Sequence, residues 1–101
     1  MQADYPRNFD REHGCAEADW LRWLPGAVGV HRLLPGLPSG RARVEIGAGA
    51  LDLTWQVLPP RHIALARLPR LAVSYRFDGV DEAARKSFMR YFDLYLQRGG
   101  G

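Results

Sequence analysis

The spacing of hydrophobic positions changes along the chain, and these changes predict four successive regions. Residues 1–14 are polar and charged, so we expect a flexible N-terminal arm without regular structure. Residues 16–24 carry apolar side chains at helical spacing and are followed by Pro25-Gly26, which predicts a short helix. Residues 28–77 have the short apolar runs of β-strands, and a second helical pattern occupies the remainder of the chain.

The β region consists of five apolar-rich runs, and Leu-Pro steps stand between most of them. Because proline has no N–H to donate to a strand ladder, each step is expected at the end of a strand. One consecutive antiparallel meander accommodates all five runs when each connecting loop is a hairpin. Whether residues 61–77 form a hairpin or one kinked strand stays open, because Pro69 is compatible with both. The runs are residues 28–34, 41–47, 51–57, 61–67 and 71–77.

Alternation along these runs predicts which side chains share the buried face of the sheet. Arg32 is the exception, because it falls on the apolar side of the first strand and must extend its charged end to water. The predicted core face consists of Val30, Leu34, Val44, Ile46, Leu51, Leu53, Trp55, Val57, Ile63, Leu65, Val73, Tyr75 and Phe77.

The C-terminal pattern is typical of an amphipathic helix that begins after Asp81, its predicted N-cap, and ends at Gly99. Its apolar stripe is Phe88, Met89, Phe92, Tyr95 and Leu96, and its predicted polar face is Glu82, Lys86, Arg90, Asp93 and Gln97. The predicted fold is therefore α+β. An antiparallel meander of four to five strands has a short N-terminal helix, and the C-terminal helix packs on the apolar sheet face. Residues 15–98 form the predicted domain, and residues 99–101 form a glycine tail.

The composition restricts the class of protein more than it restricts the function. The chain has 101 residues, 47% of them hydrophobic and 25% charged, which is the composition of one globular domain. Cys15 is the only cysteine, so a disulfide framework and a cysteine-based zinc site are excluded. No uncharged apolar run approaches the roughly 20 residues of a membrane span. We expect a cytoplasmic protein that does not associate with a membrane.

Residue types that carry chemistry are present, but their spacing matches no catalytic or metal-binding motif. His13 and Cys15 lie two residues apart, which supplies too few ligands for a zinc site. His31 and His62 fall on predicted strands that are too far apart to share a metal. We therefore expect no catalytic residues, no metal site and no cofactor. An enzyme whose site is assembled from dispersed residues remains the second alternative.

Four small residues are predicted to lie side by side on the outer sheet face, opposite the core. Predicted cross-strand pairs join residue 66 to 72 and residue 64 to 74, and small side chains allow another element to approach closely. The N-terminal helix, a second copy of the chain or another protein are the candidate occupants, and the patch stays bare if both helices share the apolar face. We expect a small non-enzymatic protein-binding or accessory domain. The predicted partner-binding residues are Ala64, Ala66, Ala72 and Ser74.

Arginines concentrate in the last part of the β region and suggest a different partner. The chain has 14 basic and 11 acidic residues, a formal net charge of +3, so anionic partners are permitted. Tyr75 and Phe77 are predicted to be buried, which leaves the arginines without exposed rings on which bases could stack. Binding of nucleic acid or another anionic ligand at an arginine-rich sheet edge is therefore the first alternative. The predicted anion-binding residues are Arg61, Arg67, Arg70 and Arg76.

Overall fold

In a computed structural model, which describes residues 4–36 and 39–99, five antiparallel strands form one sheet with two helices. The order across the sheet is β1-β5-β4-β3-β2, so the first strand of the chain pairs with the last. This arrangement confirms the predicted α+β class. The elements are β1 (Asn8–His13), α1 (Glu17–Ala27), β2 (Arg32–Pro35), β3 (Arg41–Ile46), β4 (Gly49–Ile63), β5 (Ala66–Asp78) and α2 (Glu82–Gln97).

Both helices pack on the same face of the sheet and enclose one core. Trp20 of α1 contacts the rings of Phe92 in α2 and Trp55 in β4 at centroid distances of 6.1 and 5.8 Å. Phe92 also meets Tyr75 of β5 edge to face. The N-terminal helix therefore does not cover the outer sheet face, and the alternative in which both helices share the apolar face is the one found.

The central part of the sheet follows the predicted alternation. Val44 lies opposite Leu51, and Leu53 lies opposite Tyr75, so these side chains share the helix-covered face. The turn between β3 and β4 consists of Gly47-Ala48. Seven predicted core residues are buried: Val44, Ile46, Leu51, Leu53, Val73, Tyr75 and Phe77.

The three separate strands predicted from residues 51–57, 61–67 and 71–77 are wrong, because these runs form two strands and Pro69 lies within β5. Strand β4 continues through Pro59-Pro60, and the chain reverses at Ala64-Leu65. A register shift between Leu58 and Arg61 places one more residue in β4 than in the facing stretch of β5, so a bulge accommodates the prolines. The predicted burial of Val57, Ile63 and Leu65 is wrong for the same reason, since all three are exposed in the extended hairpin.

Strand β2 is displaced from its predicted register. Leu33 lies opposite Val44 and turns toward the core, so the alternation along this strand is the reverse of the predicted one, which placed Val30 and Leu34 on the core face. The predicted core positions Val30 and Leu34 are therefore wrong, and Val30 is fully exposed. Arg32 instead faces outward opposite Glu45, 3.6 Å from its carboxylate. The predicted loop before β3 includes residues 37 and 38, which lie outside the described residues.

The shift in β2 has its origin in α1. The helix was expected to end at Leu24, but it continues through Pro25 to Ala27. Pro25 has no N–H to donate within the helix, but the Val28 N–H still donates to the Leu24 carbonyl oxygen at 3.1 Å. Ala27 and Val28 are buried, so core packing extends the helix and delays the start of β2.

The expected N-terminal arm without regular structure is wrong for Asn8–His13, which form β1. Phe9 lies opposite Tyr75, and Arg11 lies opposite Val73, so both point toward the helix layer. The inward positions include Arg11 and His13, and these polar residue types hid the strand pattern in the sequence. Residues 1–3 lie outside the described residues.

Helix α2 begins and ends as predicted. Asp81 is the N-cap and accepts a hydrogen bond from the Ala84 N–H at 2.8 Å, while Gly99 adopts a positive φ of 67° after the last turn. The predicted solvent position of Asp93 is wrong, because this side chain is only 8% exposed. Of the predicted glycine tail, residues 100 and 101 lie outside the described residues.

Candidate functional site

The distal half of the β4–β5 hairpin projects beyond the rest of the sheet. Strand β3 pairs with β4 only as far as Thr54, and β1 pairs with β5 only from Leu71 onward. Apart from Val57, which lies opposite Leu71, residues 57–70 pair only with one another, and we call this segment the hairpin arm. Every residue from 61 to 69 is exposed, so neither face of the arm's distal part is covered.

Large apolar side chains lie exposed on the hairpin arm. The exposed fractions are 58% for Val57, 55% for Ile63 and 43% for Leu68, and Leu65 at the turn is fully exposed. Leu68 lies opposite Arg61, and Ile63 lies opposite Ala66, so Leu68 and Ile63 lie along one face. A two-stranded hairpin without a packing partner is marginally stable in water, and contiguous exposed apolar surface is typical of interaction sites.

Prolines protect the two open edges of the hairpin arm. The Phe77 N–H donates to the Arg7 carbonyl oxygen on the β1 side of β5. Backbone groups of every second residue point to the same side of a strand, so the nitrogen of Pro69 also lies on the β1 side. The Trp55 N–H likewise donates to Gly40 on the β3 side, and the nitrogen of Pro59 lies on that side too. Each edge therefore lacks one of the N–H donors with which a further strand would pair. This favours contact with a partner through the side chains of the hairpin arm.

The hairpin arm carries positive charge, and part of this charge is already engaged. The chain has no acidic residue between Asp52 and Asp78. Arg70 donates to Glu12 at 3.0 Å and to the Pro59 carbonyl oxygen at 2.9 Å, and Arg61 lies 3.6 Å from the same glutamate.

The four predicted anion-binding arginines do not converge on one surface. Arg61 and Arg70 meet at Glu12, while Arg67 lies opposite His62 on the other face of the hairpin arm. Arg67 forms no ion pair with any residue that the structure describes. Arg76 lies off the arm and donates to Asp10 at 3.1 Å.

The four predicted partner-binding residues are divided between two places. Ala64 and Ala66 lie at the tip of the hairpin arm, whereas Ala72 lies opposite Gln56 and Ser74 opposite Thr54 in the body of the sheet. The predicted cross-strand pairs 66–72 and 64–74 are wrong, because the chain reverses at Ala64-Leu65 instead of at residues 68–70. Ala72 and Ser74 line a shallow outer groove of about 430 Å³.

A cleft of about 380 Å³ lies where the hairpin arm meets the start of α1. Glu17 enters the cleft from α1, and its Oε2 accepts a hydrogen bond from Trp55 Nε1 at 2.8 Å. Burial, together with the nearby charge of Asp19, raises the pKa of the Cys15 thiol, which also lines the cleft. The lining residues are Cys15, Ala16, Glu17, Val57, Leu58, Pro60, Arg67, Pro69 and Arg70.

A buried polar cluster joins β1 to α2. The two terminal nitrogens of the Arg11 guanidinium, Nη1 and Nη2, donate to the Asp93 carboxylate at 2.6 and 3.1 Å. The Tyr5 hydroxyl donates to Asp93 Oδ2 at 2.6 Å. Burial, and then the hydrogen bond to Asp93, raises the pKa of Tyr5. The guanidinium lies over the rings of Phe9 and Tyr75, 5.2 and 5.3 Å from their centroids. The sequence carried one signal of this cluster, the inward alternation of Phe9 and Arg11.

His13 and Tyr75 form a second polar contact beside this cluster. His13 Nε2 and the Tyr75 hydroxyl oxygen are 2.7 Å apart. Burial and the charge of Arg11 lower the pKa of His13 to about 4, and burial raises the pKa of Tyr75. Burial favours the neutral form of both groups, so the geometry favours a structural contact between β1 and β5.

The described residues contain no group of three or more His, Cys, Asp or Glu side chains that could hold a metal ion. In the same part of the chain, no helix combines the length and hydropathy needed to cross a bilayer. Protein-family models, curated proteins and solved structures provide no match to the chain.

Proposed function

We propose that the protein is a small non-enzymatic binding module that contacts a protein partner through the hairpin arm. The observation that carries this proposal is the exposure of Val57, Ile63, Leu65 and Leu68 on a hairpin that no other part of the described chain covers. Burial of apolar area is the main favourable term in most protein association. The prolines at the arm's edges favour contact through these side chains over addition of a strand.

A protein partner accounts for more of the hairpin arm than a nucleic acid does. The residues between Gln56 and Leu71 include no Phe, Tyr or Trp, so the imidazole of His62 is the one aromatic ring that the arm offers to a base. Two of its three arginines share Glu12, which lowers the charge available to phosphates. A partner with an apolar surface bordered by acidic groups would match both the aliphatic side chains and the cations.

Nucleic acid remains the second candidate, because one observation favours it. The stretch between Asp52 and Asp78 has four arginines and no acidic residue, and a two-stranded β-ribbon fits the major groove of duplex DNA. Such binding would weaken steeply with added salt through counterion release. No comparable observation favours catalysis, since His13 and Tyr75 bond to each other inside the fold.

The experiment compares capture of cellular partners by three immobilised proteins. The triple variant Ile63→Ser/Leu65→Ser/Leu68→Ser removes the apolar side chains of the hairpin arm. The control Leu21→Ser/Leu94→Ser removes two exposed leucines from the helices. We expect a protein that the wild type and the control retain, that the arm variant loses, and that binds the purified wild type directly.

Other results would contradict the proposal in distinguishable ways. A partner retained equally by the arm variant would place the contact elsewhere on the surface. Capture abolished by nuclease treatment, with binding to purified duplex that declines with salt, would favour the second candidate. A concentration-dependent mass in sedimentation, lost in the arm variant, would make the partner a second copy of the chain.

A further inference from the structure

We infer that the cleft between the hairpin arm and the start of α1 binds a small aliphatic carboxylic acid. The inference goes beyond the proposed function, because it concerns a ligand of the isolated chain. It depends on the size of the cleft, on the apolar character of its walls and on the charge at its rim.

The size and walls of the cleft suit a short aliphatic chain. Its volume of about 380 Å³ lies in the usual range of small-molecule sites, roughly 300–1,000 Å³. Val57, Leu58, Pro60 and Pro69 of the hairpin arm, with Cys15 opposite, supply aliphatic and sulfur surface. An aromatic side chain does not occur among the described lining residues, so the walls favour a flexible aliphatic group over a ring that needs stacking.

Two arginines determine the charge of the ligand. Arg67 and Arg70 line the same cleft, and Glu17 is the one carboxylate in its described lining, which leaves a net charge of +1 from two cations and one anion. Glu17 already accepts from Trp55, and Arg70 is held in position by its bonds to Pro59 and Glu12. Arg67 has no carboxylate partner in the described chain and can supply a charge-assisted bond to a ligand carboxylate.

The cleft spans the junction between the hairpin arm and the start of α1. One wall belongs to residues 57–70 and the other to the segment that opens α1, so a ligand would contact the arm and the body together. Occupancy should therefore slow the opening of the arm and increase the protection of its amide hydrogens.

The test is a titration of the isotopically labelled full chain with hexanoate, followed by NMR. We expect saturable shifts at the amides of Ala16, Val57 and Arg70, with a Kd of about 1 mM for a ligand of this size. Hexanol and hexylamine have the same number of carbon atoms as hexanoate but lack the negative charge, and both should bind at least about tenfold more weakly. Alkylation of Cys15, the only cysteine, should slow as hexanoate is added.

Three variants separate recognition of the carboxylate from simple apolar binding. Arg67→Gln should weaken hexanoate about tenfold, whereas Arg90→Gln on the exposed side of α2 should bind as the wild type does. Val57→Trp should fill the cleft and abolish binding, and because Val57 is exposed, this variant should stay folded.

Several outcomes would overturn the inference. The first is equal affinity for hexanol, and the second is unchanged affinity of Arg67→Gln for hexanoate. The third is an absence of saturation up to about 10 mM hexanoate, about ten times the Kd expected for a ligand of this size. None of these outcomes bears on capture of a protein by the arm's apolar side chains, so failure here is distinguishable from failure of the proposed function.

Discussion

Strands β4 and β5 pass through two environments, and the contrast between them shows what determines burial in this protein. In the body of the sheet, Leu53 and Tyr75 are buried because α2 covers them. In the hairpin arm, Val57 continues the alternation of Leu53 on the same face of β4 but is 58% exposed. A strand pattern thus indicates which side chains share a face, while the element that packs on the face decides whether they are buried.

Charged side chains show the same contrast. In the body, Arg11 and Asp93 form a bidentate pair that is shielded by aromatic rings. At the base of the arm, Arg61 and Glu12 lie 3.6 Å apart with both side chains in contact with solvent. Exposed pairs of this kind contribute little to stability, whereas removing one partner from a buried pair is costly.

The largest expected effect tests the core of the body. Phe92→Ala should lower the free energy of unfolding by about 3–5 kcal/mol, because it empties a site enclosed by Trp20, Tyr75 and Phe88. Leu65→Ala at the tip of the arm is the control and should stay within about 0.5 kcal/mol of the wild type. Urea titration of both variants measures the difference. Similar small effects in both would show that Phe92 does not support the core.

The buried pair provides the next comparison. Asp93→Asn should destabilise the protein by about 3 kcal/mol, because it leaves the Arg11 guanidinium without its carboxylate. Asp52→Asn removes the partner of Arg43 on the outer face and should cost at most about 1 kcal/mol. Equal melting midpoints for the two variants would contradict the distinction between buried and exposed pairs.

The pH dependence of stability tests the contact between β1 and β5. Burial and Arg11 lower the pKa of His13 to about 4 from its ordinary value of 6.5, against the opposing charge of Asp93. The unfolded chain therefore binds more protons than the folded chain between pH 4 and pH 6.5. The free energy that neutral His13 contributes to folding should be fully present above pH 6.5 and should decline as the pH falls toward 4. The loss is about 3 kcal/mol at most, since one pKa unit corresponds to about 1.4 kcal/mol.

The measurement is a series of urea titrations across this range for the wild type and His13→Gln. The difference between the two proteins isolates His13 from the carboxylates that titrate at lower pH. His62→Gln, an exposed histidine of the arm, is the control and should retain the wild-type profile. A wild-type decline that persists unchanged in His13→Gln would assign the effect to another group.

The smallest expected effect concerns the two turns that flank β4. Gly47 and Ala64 both have a positive φ, 59° and 54°, and only glycine adopts this conformation without strain. Gly47→Ala should cost about 1 kcal/mol of global stability, because the turn belongs to the body. Ala64→Gly should relieve the backbone strain at this turn. It should leave the free energy of global unfolding unchanged, because the hairpin arm opens independently of the body. Hydrogen exchange of the arm's amides, with melting curves of both variants, distinguishes local from global effects.

The sequence by itself determined those parts of the protein whose evidence is local. The N-cap at Asp81, the stripe around Phe92 and the alternation through Val44 and Leu53 were predicted correctly, because capping and periodicity act over a few residues. The position of the prolines also marked an irregular stretch of β4. The pattern misplaced the turn, since a bulge at Pro59 allows a strand to continue where two consecutive prolines indicated its end.

Only the tertiary structure decided the features that depend on distant partners. Asp93 occupies a polar position by its residue type, but Arg11 and Tyr5, more than 80 residues earlier, allow it to be buried. The sequence identified Arg61, Arg67 and Arg70 as a cluster, yet their separation depends on the strand register and on Glu12. The cleft beside Arg67 could not be predicted, because its two walls come from segments about 40 residues apart that meet only when β1 closes the edge of the sheet.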